Sequence, residues 1–219
     1  KLTKRQEKKP DIYDLELIDS IKKEGKCWHP TQRMMEGQET RRNDPLGMTH
    51  VHHFYTVRNL TALSKTFDLI KKTNIVFLFT GFVGGATKLN QFHLKNYVFG
   101  GGGVNPGARK GTLYAPSISM EVPVISLFKD RLRTQLRAMQ RNFNHRALIA
   151  TSSTNNEVFQ NNLSDTLDYI FIDPPFGSNL NYSELSFFWE SWLGVSTENT
   201  NEAIENKTQG KGAYEYRQL

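Results

Sequence analysis

Apolar residues at Ile12, Leu15, Leu17, Ile18 and Ile21 recur through DIYDLELIDSIKKE, residues 11–24, at the spacing of a short amphipathic helix. The same period returns at Leu60, Leu63, Phe67 and Ile70 in TVRNLTALSKTFDLIKK, with Thr56 placed as its N-cap. Between the two, GKCWHPTQRMMEGQETRRNDPLG has no period and is broken by Pro30, Gly37, Pro45 and Gly47. A long helix with a basic outer face is predicted over VISLFKDRLRTQLRAMQRNF, and an aromatic-rich helix ended by Gly194 over SELSFFWESWLG. Three other apolar stretches are short and unbroken: NIVFLFT from Asn74, ALIATSS from Ala147, and DYIFIDPP from Asp168. Each reads as a strand buried on both faces. Helices alternating with such strands predict an α/β fold with a mostly parallel sheet. Residues 81–117, rich in glycine, read as an insertion. The division expected is an N-terminal helix and irregular segment over 1–56, followed by the α/β domain over 57–219.

Composition narrows the class. Of the 219 residues 37 % are apolar and 23 % charged, the balance of a soluble globular protein. The longest apolar stretches are too short to cross a bilayer, and the basic start KLTKRQEKKPD has no apolar core behind it, so neither a membrane partner nor a signal peptide is expected. The single cysteine, Cys27, excludes an internal disulfide and points to a reducing, cytoplasmic setting. A net charge of +6 favours a polyanionic partner. The basic clusters at 1–9, at Arg41 and Arg42, and along 129–146 read equally well as solvated faces. Oligomeric state leaves no signature.

The stretch LDYIFIDPPFGSNLNYSEL carries the most specific chemistry. Its apolar run ends in Asp173, Pro174, Pro175 and Phe176. In open parallel sheets ligands sit beyond the carboxyl ends of strands. Two prolines have no N–H, hold φ near about −65° and push the preceding residue towards extended backbone, which makes a stiff corner of free carbonyls. An ionised Asp173 can only accept hydrogen bonds. A carboxylate, a bare carbonyl and an aromatic ring together suit a planar amine on a heterocycle. The carboxylate and the Pro174 carbonyl take its two N–H groups, and Phe176 stacks on the ring. Holding both hydrogens draws the lone pair out of the ring and readies it to attack an electrophilic methyl. A base inside a duplex has to flip out to reach such a corner.

These residues resemble the catalytic motif of amino-methyltransferases that act on exocyclic base amines, Asp/Asn/Ser-Pro-Pro followed by an aromatic residue. DPPFGSNLNYSELSFFWESWLG, with EAIENKTQGK and EYR after it, is similar to a group of large bacterial DNA methylases from restriction contexts, as are MTHVHHFYTVRNLTALS and GTLYAPS upstream. The resemblance implies a partial class I, Rossmann-like methyltransferase using S-adenosylmethionine to methylate DNA, with adenine N6 ahead of cytosine N4. Asp173 and Pro174 then hold the amine, Pro175 shapes the corner and Phe176 stacks. It assigns Ser152 and Ser153 to the donor, and Asn179 and Tyr182 to the flipped base or its backbone. The family's glycine-rich cofactor motif has no counterpart here; FLFTGFVGG comes nearest with the wrong spacing. The resemblance therefore places that motif before Lys1 and later strands after Leu219, and implies that this fragment alone is inactive.

Other features read more plainly. GGGGVNPG lacks the lysine of a phosphate-binding loop and reads as a flexible loop. His50, His52 and His53, with His29 and Cys27, match no zinc spacing and read as packing and capping. Phe187, Phe188, Trp189 and Trp192 read as core. Two competing functions stay open: an RNA guanine-N2 methyltransferase, whose corner also carries a glycine like Gly177, and a non-catalytic piece that only binds nucleic acid or a partner.

Overall fold

The computed structural model describes residues 8–24, 27–103, 107–139, 168–173 and 177–218. Helix α1, Ile12–Glu24, begins where Asp11 and Asp14 each accept the other's backbone N–H, at 3.1 and 3.0 Å. It packs along α3, Val57–Ile70. Thr56 caps α3 by accepting the Asn59 N–H at 3.2 Å, and Leu63, Phe67 and Ile70 form its buried stripe. Between these lie the short α2, Gln38–Arg41, and 3-10 turns at Asp44–Leu46 and Val51–Phe54, the second of which inserts Val51 and Phe54 into the core.

The run around 75–79 is helical. Helix α4, Phe77–Val83, buries Leu78, Phe79, Phe82 and Val83, at helical spacing, and leaves Phe77 and Gly81 outward. An apolar run this short satisfies either periodicity, and here the helix runs on past Gly81 to bury Phe82 and Val83. α5, Leu94–Phe99, follows. The glycine-rich 81–117 segment contributes Val83, Ala86, Leu89 and Leu113 to the core. Helix α6, Val124–Met139, buries Val124, rests Leu127 and Phe128 on the core and turns its basic residues outward, packing against α3 and α4. Helix α7, Tyr182–Leu193, lays Phe187, Phe188 and Trp192 into the centre. Gly194, at φ 71°, ends it in the left-handed conformation that glycine adopts without strain. α8, Ala213–Gln218, closes the described chain.

The core is aromatic. Trp192 is 1 % exposed and meets Phe79 at 5.0 Å and Phe67 at 5.6 Å between ring centroids, both edge-on. Its indole N–H donates to the Tyr55 hydroxyl at 3.3 Å. Phe54 meets Phe188 edge-on at 4.8 Å. At about 25 cal/mol per Å² and roughly 200 Å² of buried surface, the Trp192 ring alone contributes about 5 kcal/mol.

The α/β, Rossmann-like architecture with a mostly parallel sheet is not what the described residues form. Among them there are helices and four isolated bridges, Arg33 with His50, Gln91 with Gly107 and with Ser119, and Asn206 with Lys211, but no strand. Residues 168–173, expected to end a buried strand, are non-helical and exposed: Tyr169 is 79 % and Phe171 80 % accessible. A strand needs neighbours to pair its N–H and C=O groups, and among the described residues none lies alongside. The expected strand ALIATSS lies outside the described residues.

Candidate functional site

Asp173 stands exposed at the end of the YIFI run. Pro174, Pro175 and Phe176 lie outside the described residues, as do Ser152 and Ser153. The chain is described again from Gly177, which sits at φ 58° in a left-handed turn. The Gly177 carbonyl accepts the Glu205 N–H at 3.0 Å, and Leu180 packs so tightly on Gly111 that its methyl lies 2.5 Å from where a Cβ would be. Asn179 is exposed, and Tyr182 is half-exposed on the first turn of α7. Asp173, Asn179 and Tyr182 are each accessible to solvent, and no hydrogen bond joins them among the described residues.

What holds this stretch is a buried polar scaffold beneath the start of α7. The Ser183 N–H and hydroxyl both donate to Glu202, at 3.0 and 2.5 Å. Glu184 is fully buried and accepts the Thr40 N–H at 2.7 Å and the Asn206 side-chain amide at 2.9 Å. Burial pushes the Glu184 carboxyl above the usual carboxylate range, against the opposing pull of those hydrogen bonds. Asn206 also donates to Asn181 at 3.4 Å, and Lys211 closes the loop by donating to the carbonyls of Asn199, at 2.5 Å, and Glu202, at 2.8 Å. This scaffold clamps residues 177–184 to α2 and to the 199–211 loop. Sequence reading missed it, although one signal was available. Glu184 stands three, four and seven residues before Phe187, Phe188 and Ser191, an acid on the inward face of its helix.

A second buried carboxylate ties in the GTLYAPS segment. Glu39 accepts the Thr112 hydroxyl at 2.5 Å and the Leu113 N–H at 3.0 Å, and pairs with Arg42 at 2.8 Å. The Asn43 amide donates to the Leu113 carbonyl at 2.9 Å. Thr112 and Leu113 follow the Gly111 on which Leu180 rests, so the phrase upstream and the loop after the motif are packed together.

The histidines gather more closely than their spacing suggested. Ring centroids of His52 and His53 are 4.3 Å apart, of His50 and His53 5.1 Å, and of His29 and His52 5.9 Å. Burial, reinforced by the charges of His53, His29 and His50, holds His52 below the usual imidazole range. Among the described residues no three His, Cys, Asp or Glu side chains are arranged to hold a metal ion.

Clefts open on the surface among the described residues. One of about 220 Å³ separates α1 from α3. Two more, of about 320 and 290 Å³, lie beside Arg58 with Glu121 and beside Cys27 with Asp68. A further cleft, of about 620 Å³, is lined by Trp28, Phe67, Lys71, Lys72, Val76 and Trp192, with Leu193 and Gly194 at its edge. None of these is lined by Asp173 or by residues 177–182. Among the described residues no helix is long and apolar enough to cross a membrane. No family model matches the chain, and neither a curated protein nor a solved structure matches it.

Proposed function

We propose that the chain carries the amine-binding corner of an S-adenosylmethionine-dependent methyltransferase acting on an exocyclic base amine in DNA, adenine N6 first. The observation that supports this is the sequence Asp173-Pro174-Pro175-Phe176, with the Asp173 side chain open to solvent and able to receive a ligand. In this reading the Asp173 carboxylate and the Pro174 carbonyl accept the two N–H groups of the amine, and the Phe176 ring lies against the base. S-adenosylmethionine, when bound, would supply the methyl from its sulfonium, its carbon–sulfur bond breaking to leave the thioether as the nitrogen gains the methyl and loses a proton. The Glu205 N–H donates to the Gly177 carbonyl and the Ser183 N–H donates to Glu202, so the backbone that follows the motif is anchored, which supports this reading. In the same reading Asn179 and Tyr182, both accessible, would touch the flipped nucleotide.

The test is methyl transfer by the protein expressed in its complete reading frame. Digested DNA and RNA from expressing cells are assayed by mass spectrometry for N6-methyladenine, N4-methylcytosine and N2-methylguanine. N6-methyladenine in DNA that vanishes in Asp173→Ala is expected. N2-methylguanine in RNA would move the substrate to the RNA guanine alternative. Methylation at the same level in Asp173→Ala, or none above background in either protein, would leave a non-catalytic binding piece as the reading.

A further inference from the structure

Trp28 is 55 % exposed, although an indole of that size normally gains more from burial than any other side chain in a core. Nor is it loose. Its ring lies on Phe67 at 5.7 Å between centroids and against the edge of Trp192 at 6.0 Å. The indole is therefore held on one side and free on the other, as the wall of the 620 Å³ cleft. The cleft's lining carries two cations and no acid. Lys71 is committed to Asp68 at 2.5 Å, and Lys72 makes no ion pair within 4 Å among the described residues, although its charge also acts on the Asp68 carboxylate. Both lysines follow the C-terminal end of α3, where the helix dipole favours cations, and that accounts for their presence without a ligand. It does not account for a fixed, half-open tryptophan beside them. An apolar protein partner would have to cover the ammonium of Lys72 and strip its water, which is unfavourable without an acid to receive it. A nucleotide satisfies both groups, with its base on the indole and its phosphate on the ammonium.

We propose that this cleft is a stacking site for single-stranded nucleic acid, one base lying on Trp28 and the adjoining phosphate meeting Lys72. The idea deepens the proposed function and rests on its nucleic-acid reading. Trp192, in the cleft, lies ten residues along α7 from Tyr182, beside the motif, or about 15 Å at the helical rise. The cleft would hold bases flanking the one presented to Asp173. Stacking of this kind tolerates any base, since each has a π face.

The experiment titrates a fluorescently labelled single-stranded oligodeoxythymidylate with the 219-residue chain, reading anisotropy and tryptophan quenching over a range of salt, with a duplex as comparator and no methyl donor. Trp28→Ala is expected to weaken single-strand binding about 10- to 100-fold, the span that a stacked base represents. Trp28→Phe should keep most of the affinity. Lys72→Glu, at an exposed site remote from the core, should lower the slope of log affinity against log salt by about 0.7 or more, one phosphate contact removed. Circular dichroism checks that each variant is folded. Equal affinity of Trp28→Ala and the parent overturns the proposal. So does duplex binding as tight as single-strand binding, or binding that ignores both salt and Lys72→Glu, which would assign the cleft to an apolar partner. Loss of methylation with binding intact would sink the amine-binding reading alone. Methylation that depends on Asp173 with binding unchanged in Trp28→Ala would sink the stacking site alone.

Discussion

Gly37→Ala tests the polar scaffold under α7 with one methyl group. Gly37 is extended, at φ 172° and ψ 164°, a conformation open to any residue, so the substitution strains no backbone. Its effect is steric. A Cβ at Gly37 would overlap the carboxylate carbon and both oxygens of Glu184. A side-chain tip can usually swing aside, but this one is 0 % exposed and engaged by Thr40 at 2.7 Å and Asn206 at 2.9 Å. Moving it breaks two hydrogen bonds to an acidic group, each worth about 1.5–3 kcal/mol, and leaves their donors buried. The expected loss is about 3 to 6 kcal/mol, a large part of the roughly 5–15 kcal/mol that a folded domain has. In urea unfolding followed by circular dichroism the midpoint should fall by about 1 M or more. Glu184→Ala should be destabilising by itself, and the double variant Gly37→Ala with Glu184→Ala no worse than Glu184→Ala, because the methyl then has room. Gly84→Ala serves as control: it sits at a helical φ of −62° with nothing within 4 Å of the added Cβ, and should leave stability level or slightly higher. A loss under about 1 kcal/mol for Gly37→Ala, or additive losses in the double variant, would refute the reasoning.

Two further outcomes follow from the same contacts. Thr56 caps α3 through the Asn59 N–H at 3.2 Å and donates its hydroxyl to Glu121 at 2.8 Å, so Thr56→Ala should lower stability by about 1–2 kcal/mol in urea, with Thr56→Ser restoring most of it. His52 is held below its ordinary value by burial and by its histidine neighbours, so the unfolded chain takes up a proton there before the folded one does. Stability should fall as pH drops through the usual imidazole range towards the lower folded value, and level off below it. In His52→Gln that acid loss should shrink, as thermal melts across pH 5 to 8, about the range where imidazoles titrate, would show.

Four of the helices were legible in the chain as written. α1, α3, α6 and α7 each run 12 residues or more, long enough for a 3.6-residue period to separate itself from alternation. Their ends were legible too where one residue decides them, as with the Thr56 cap and the left-handed Gly194. The expectation at Asp173-Pro174-Pro175-Phe176 rests on residue types and backbone constraints alone, and Pro174, Pro175 and Phe176 lie outside the described residues.

The fold class was not legible, for a physical reason. A short apolar run such as IVFLF can bury itself as helix or as strand, and the choice belongs to whatever pairs its backbone. In the tertiary structure that run pairs its own turns against α6, and the YIFI run finds no neighbouring strand among the described residues. Glu184 reads as one more acid in a helix until folding brings Thr40, 144 residues away, to within 2.7 Å of it. Trp28 likewise became a candidate ligand surface only when α3 and α7 met behind it, covering one face of its ring and leaving the other open. Local periodicity and local backbone chemistry are carried by neighbours in sequence. Strand pairing, the partners of buried charges and the exposure of a ring are set by residues distant along the chain, and only the assembled core brings those together.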